Sequence, residues 1–140
     1  MPHRILLVDD QEDLLRLLET ALVNSGYEVV AESEGKLARR ALRTQEFDLL
    51  ICDVVMPDVT GYELLHEASR DLPVIMMSGN FHAVGGRELF EKSAKGLGCV
   101  EALSKPFTPA ELVERVASVL ADPKSRLPRR ARNRDDNVAT

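Results

Sequence analysis

No stretch of this chain is apolar for anything near the roughly 20 residues that a bilayer-spanning helix needs. The start, Met1-Pro2-His3-Arg4, runs into a short apolar segment with no signal-peptide pattern or cleavage site. The expectation is a soluble, cytoplasmic protein with no membrane partner. Cysteine is scarce, with Cys52 and Cys99 the only two. Both fall in apolar runs that read as buried strands, and neither has a Cys or His at zinc-ligand spacing. Reduced core thiols are therefore expected, not a disulfide or a metal pair. The three histidines, His3, His66 and His82, are scattered, which argues against a His-built metal site or triad. Internal repeats and a second globular module are also missing, and 140 residues suffice for one domain with a proper core.

The net charge of −5 hides an asymmetry. From Asp122 onward six basic residues (Lys124, Arg126, Arg129, Arg130, Arg132, Arg134) face three acidic ones (Asp122, Asp135, Asp136), a balance of +3 that leaves −8 on residues 1–121. The division is thus an acidic domain over 1–121 and a basic tail over 122–140. The tail has almost no apolar content and is expected to be disordered. Arg129-Arg130-Ala131-Arg132 carries few charges and no aromatic residue, which argues against nucleic acid as a partner.

What is present is a regular alternation. Apolar segments over 4–8, 27–31, 48–53, 74–77 and 99–103 read as strands, each followed by a helical pattern. Leu49-Leu50-Ile51-Cys52 has no polar alternation at all, as in a strand buried on both faces of a parallel sheet. Segment 27–31 alternates in part, which suits an edge. The first helix places Leu14, Leu15, Leu18, Ala21 and Leu22 on one face and stops at Gly26. A second, over about 35–44, buries Leu37, Ala38, Ala41 and Leu42. A third starts near Gly61, and a fourth covers about 87–95. The last is opened by the capping box Thr108-Pro109-Ala110-Glu111 and stopped by Asp122-Pro123. Five strand-helix pairs in strict alternation predict a doubly wound α/β domain, a five-stranded parallel sheet flanked by five helices.

Polar residues stand at the carboxyl ends of four of the five strands: Asp9 and Asp10, then Asp53, Ser78 and Lys105. In a parallel sheet these positions share one edge, the edge where ligands bind. Alone, each has an ordinary explanation as a cap, a turn residue or an exposed loop. Together they fit those explanations poorly. Crowded carboxylates call for a hard divalent cation, and Mg2+ prefers one or two carboxylates, a carbonyl and waters, often with a phosphate. A carboxylate can also accept a phosphoryl group, while a lysine and a hydroxyl hold its oxygens. The residues point to Mg2+-assisted phosphoryl transfer onto an Asp, without saying which Asp.

Val8-Asp9-Asp10, Asp53-Val54-Val55-Met56-Pro57-Asp58-Val59-Thr60-Gly61, Met77-Ser78-Gly79 and Lys105-Pro106-Phe107 resemble the receiver domain of two-component response regulators, over about residues 4–121. The resemblance implies a flavodoxin-like strand order, 2-1-3-4-5, and a phosphoacceptor at Asp53 served by a histidine kinase or histidine phosphotransfer protein. It implies Mg2+ held by Asp10, Asp53 and the Val55 backbone carbonyl, with Asp9 acting through a water. Lys105, ahead of a cis peptide to Pro106, would contact the phosphoryl group, and Ser78 would be the switch hydroxyl. The usual switch aromatic, three residues before the lysine, is here Ala102. The span from Ser78 to Lys105 is also roughly five residues longer than in a minimal receiver. The extra residues are assigned to 80–86, a loop expected to replace the missing ring as the phosphorylation-sensitive element.

Val55 and Asn80 are expected to flank the path of an attacking water. An apolar Val55 cannot orient that water, so self-dephosphorylation should be slow and Val55→Asn should speed it, as a time course of phosphate loss would show. The leading expectation is a single-domain response regulator whose output is phosphorylation-dependent binding to a downstream protein. The alternatives are a pseudo-receiver that binds partners without phosphorylation, and a Mg2+-dependent phosphohydrolase. The latter would want a second acid/base Asp where Val54 and Val55 stand.

Overall fold

The computed structural model describes residues 2–69, 71–79 and 86–126, the side chains of 87–89 and 126 excepted. Strands and helices alternate as β1 (Arg4–Val8), α1 (Glu12–Asn24), β2 (Glu28–Glu32), α2 (Gly35–Thr44), β3 (Leu49–Asp53), α3 (Gly61–Glu67), β4 (Val74–Ser78), α4 (Gly86–Gly96), β5 (Glu101–Ser104) and α5 (Pro109–Ala121). Every strand pair is parallel, and the order across the sheet is β2-β1-β3-β4-β5. The doubly wound, flavodoxin-like architecture expected from the sequence is the one observed.

Alternation along the strands decides the layers, because successive side chains leave opposite faces of a sheet. Ile5, Leu7, Ile51, Ile75 and Met77 pack with Leu15, Leu18 and Leu22 of α1 and with Leu112, Val116 and Val119 of α5. Leu6, Val8, Leu50, Cys52 and Met76 pack on the other face with Ala38 and Ala41 of α2, Leu64 and Leu65 of α3, and Phe90 and Ala94 of α4. Covered on both sides, β3 and β4 are buried at every position. Each fully buried leucine contributes about 2 kcal/mol. β2 lies at the edge, as its partial alternation indicated.

Two helices end in the same way. Gly26 and Gly98 have φ of 96° and 99°, the left-handed conformation that glycine adopts without steric cost. After each, the next amide reaches back into the helix: Tyr27 N to the Leu22 carbonyl at 3.2 Å, Cys99 N to that of Ala94 at 3.1 Å. This second closure corrects the predicted start of the last strand. The amide of Cys99 is engaged by the end of α4, so β5 begins at Glu101 rather than 99, and Cys99 is a buried residue just ahead of the strand. Burial of Leu37 is likewise corrected: it is 44% exposed. Gly35, Ala38 and Ala41 form the buried arc of α2, and Leu37 lies off its side.

The small residues of α2 have a reason. A Cβ on Gly35 would sit 2.5 Å from the Val59 Cβ. That close approach lets Asp58, from the loop after β3, cap α2 from a distance. Its carboxylate accepts from the Gly35 and Lys36 amides at 3.2 and 3.0 Å, while the helix's own N-cap residue, Glu34, makes no side-chain cap bond. The Lys36 amide chiefly, then those of Gly35 and Val59, hold the Asp58 carboxyl below its ordinary 3.8. A depressed carboxyl pKa stabilises the fold above the unfolded value, and the contribution is lost as pH falls through the folded one. Asp58→Ala should therefore melt below wild type at neutral pH, and the gap should close below pH 3.8, which thermal unfolding across a pH series would show.

α3 opens with a capping box that the sequence reading passed over, Thr60 and Glu63 bonding each other's backbone amides. The predicted box at Thr108 and Glu111 is present on α5. After α5, Pro123–Arg126 form a 3-10 turn whose Ser125 is buried, its hydroxyl within hydrogen-bonding distance of the carbonyls of Val119 and Asp122. The basic residues at 129–134 lie outside the described residues. No helix among the described residues is long and apolar enough to cross a membrane.

Candidate functional site

Parallel register brings the chemistry-bearing residues to one edge. Asp9 and Asp10 follow β1, Asp53 and Ser78 end β3 and β4, and Lys105 follows β5. Asp53 pairs with Met77 and Ser78 with Ser104 across neighbouring strands. Asp9, Asp10 and Asp53 each offer an oxygen, and these atoms lie within 4.8 Å of one another. Asp9 is fully buried, Asp53 is 6% exposed and Asp10 faces solvent.

Lys105 reaches across the edge to two of the three. Its Nζ donates to Asp53 Oδ2 at 2.7 Å and to Asp9 Oδ2 at 2.9 Å, with a longer bond of 3.3 Å to Gln11 Oε1. Its own amide donates to the Ser78 carbonyl at 2.8 Å, and the peptide to Pro106 is cis, as the resemblance implied. Gly79 leaves room for the stem, since a Cβ there would lie 2.8 Å from the Lys105 Cβ. The remaining carboxylate oxygens take backbone donors, Asp9 Oδ1 from Gln11 at 2.9 Å and Asp53 Oδ1 from Val55 at 3.2 Å.

One ammonium does not balance three carboxylates. Burial pushes the Asp53 carboxyl above its ordinary 3.8, and the charge on Asp9 adds to this, against the pull of Lys105 and the Val55 amide. For Lys105, burial favours loss of the proton, but its hydrogen bonds to Asp53 and Asp9 outweigh this and hold the ammonium above its ordinary 10.5. The site keeps its lysine charged and still strains to ionise its aspartate. An all-oxygen donor set with uncompensated negative charge and one exposed member fits a hard divalent ion such as Mg2+. Cys52, next to the site, points into the core, where burial pushes its thiol far up, so it remains an inert apolar group as expected.

Asp10, Gln11, Asp53 and Lys105 line a cleft of about 590 Å³. Ser78 borders it, largely buried, and the Val55 side chain opens onto it, 54% exposed. Ala102 is apart from this group. It pairs with Met76 and packs, half-buried, against the core cluster that contains Phe90 and Ala94 of α4. Asn80 and positions 81–85 of the expected long loop lie outside the described residues, while Gly86, assigned to that loop, is the first residue of α4. Two contacts escaped the sequence reading. Gln11 bonds Lys105, and the Ser104 hydroxyl donates to Glu91 of α4 at 3.0 Å. Gln11 had a signal, a poor capping residue placed between two aspartates and a helix.

A family model described as the response regulator receiver domain matches residues 5–117. The chain belongs to that family. Among solved structures, a putative response regulator from Chloroflexus aurantiacus is 32% identical, with TM-score 0.74, covering 87% of this chain and 100% of its own. The non-phosphorylated HemR receiver domain of Leptospira biflexa is 30% identical, also with TM-score 0.74, covering 87% and 96%. The alkaline phosphatase synthesis transcriptional regulatory protein PhoP of Bacillus subtilis is 33% identical over 126 residues, which are 86% of this chain and 49% of PhoP. The chain spans about half the length of the curated relatives it matches.

Proposed function

We propose that this receiver domain, acting in the cytoplasm, takes a phosphoryl group onto Asp53 from the phosphohistidine of a histidine kinase or histidine phosphotransfer protein, and then signals by binding a downstream protein. The carrying observation is Lys105, whose ammonium bridges Asp53 and Asp9 inside a three-carboxylate cluster at the sheet edge. An Asp53 oxygen attacks phosphorus, the P–N bond of the donor breaks, and its electron pair leaves on the imidazole nitrogen. Asp10, Asp53 and the Val55 carbonyl would hold Mg2+, with Asp9 acting through a water. Held there, Mg2+ would neutralise charge that the carboxylates and phosphoryl oxygens bring together. Lys105 follows the charge from the Asp53 carboxylate to a phosphoryl oxygen, and the Ser78 hydroxyl donates to another. Val55, exposed beside Asp53 and apolar, gives an attacking water no hydrogen-bond partner.

Incubation with acetyl phosphate and Mg2+, followed by intact-mass measurement, tests this reading. Wild type should gain one phosphoryl group and Asp53→Asn none. An unlabelled wild type, or an equally labelled variant, would overturn it. Steady release of phosphate from a phosphomonoester would instead favour a phosphohydrolase.

A further inference from the structure

Gln11 sits where a helix N-cap residue would, ahead of α1, with φ −83° and ψ 98°, yet its side chain makes no cap bond. Ser, Thr, Asp and Asn are the residues that cap well at this position. The carboxamide of Gln11 is directed instead across the sheet edge, where its Oε1 accepts from Lys105 Nζ at 3.3 Å. Its backbone amide meanwhile donates to Asp9 Oδ1 at 2.9 Å, so the residue is tied to the buried carboxylate that holds the same lysine.

A lysine ammonium has three protons to donate and nothing to accept with. Here it has three acceptors, Asp53 Oδ2, Asp9 Oδ2 and Gln11 Oε1. Two are fixed parts of the scaffold, since neither Asp9 nor Gln11 is the group that reacts. The third changes identity during the proposed transfer, when an Asp53 oxygen becomes bonded to phosphorus. We infer that Gln11 is a positioning residue for the phosphoryl transfer. With Asp9 it holds two of the ammonium's protons, leaving the third aimed at Asp53 and then at the phosphoryl oxygen. The inference rests on the phosphoacceptor reading of Asp53. It goes beyond that reading in giving a role to a residue outside the acidic set, the serine and the lysine.

The alternative for Gln11 is a polar residue in a solvent-facing loop that contacts Lys105 incidentally. The two differ in what happens when the acceptor is removed and the side-chain length kept. Gln11→Met does this and leaves the backbone bond to Asp9 in place. Three quantities would be measured on the full chain: the rate of phosphorylation by acetyl phosphate at saturating Mg2+, the Mg2+ dissociation constant, and the solvent-exchange rate of the Lys105 ammonium protons by 15N NMR without metal. Loss of one hydrogen bond to a charged donor predicts phosphorylation slowed about fivefold. Mg2+ affinity should be unchanged and ammonium exchange faster. Gln11→Asn, shorter but a good capping residue, should show the same pattern and serves if Gln11→Met folds poorly.

An unchanged phosphorylation rate with unchanged ammonium exchange overturns the inference. So does a rate loss matched by an equal loss of Mg2+ affinity, because Gln11 would then act on the metal site. If wild type itself is not phosphorylated, the reading of Asp53 fails. In that case the exchange rate of Lys105 in the metal-free variants still decides whether Gln11 holds the ammonium.

Discussion

Gly61→Ala should lower the unfolding free energy by about 3 kcal/mol and slow phosphorylation of whatever folded protein remains. A Cβ on Gly61 falls inside the contact distance of the Asp53 carbonyl oxygen, 2.9 Å from the Val54 Cα and 3.0 Å from the Asp53 carbonyl carbon. None of these is the far end of a flexible side chain. All are backbone, and they belong to the acceptor residue and its neighbour. The Gly61 amide also donates to the Val54 carbonyl at 2.9 Å, which clamps the start of α3 onto the end of β3. Relief of the clash must break that clamp or move Asp53. Urea denaturation with phosphorylation measured on the same sample would read both effects. Gly96→Ala is the matched control, because a Cβ there meets nothing within 4 Å, and it should leave both unchanged. Equal behaviour of the two variants would count against the account.

Gly61 also marks the limit of what the sequence could tell. It was legible as part of the run from Asp53 to Gly61, but nothing in the chain indicates which backbone a missing side chain makes room for. The parallel sheet was legible because burial on both faces removes polar alternation from β3, and that pattern is local. The shared edge followed from parallelism alone, which brought Asp9, Asp10, Asp53, Ser78 and Lys105 together on paper before any distance was known. Contacts between segments distant in the chain were not legible. Asp58 caps a helix 22 residues earlier, and its sequence neighbours suggest only a turn. The start of β5 was misplaced because Cys99 and Val100 are as apolar as a strand, while the Cys99 amide is claimed by the preceding helix. Leu37 was misplaced because apolar periodicity does not say that a helix packs through its small residues.

Lys105→Met should separate two tasks that one ammonium performs. The first is to balance charge. The Asp9 side chain is fully buried and that of Asp53 is 9% exposed, so removing Lys105 leaves two desolvated carboxylates with backbone donors only. Breaking a buried pair in this way costs about 3 kcal/mol at neutral pH. Burial already holds the Asp53 carboxyl above 3.8, and loss of the lysine pushes it higher still. A raised carboxyl pKa contributes stability that is fully present below the unfolded value and lost as pH rises through the folded one. The deficit of the variant should therefore shrink as pH falls toward 3.8. A divalent cation can take over the same task, and it would compete with Lys105 for Asp53 and Asp9. The variant should accordingly bind Mg2+ more tightly than wild type and regain stability, by about 2.7 kcal/mol when the ion is at a hundredfold its dissociation constant. The second task is to meet charge on the phosphoryl oxygens in the transition state, and a metal held by the carboxylates leaves that place empty. Phosphorylation by acetyl phosphate should fall by about a hundredfold even with the metal site saturated. Tighter Mg2+ binding with slower transfer is the signature of a lysine that competes with the metal in the resting site and assists it during transfer. Weaker Mg2+ binding in the variant would mean that Lys105 supports the metal site, and the charge-balance account would be wrong.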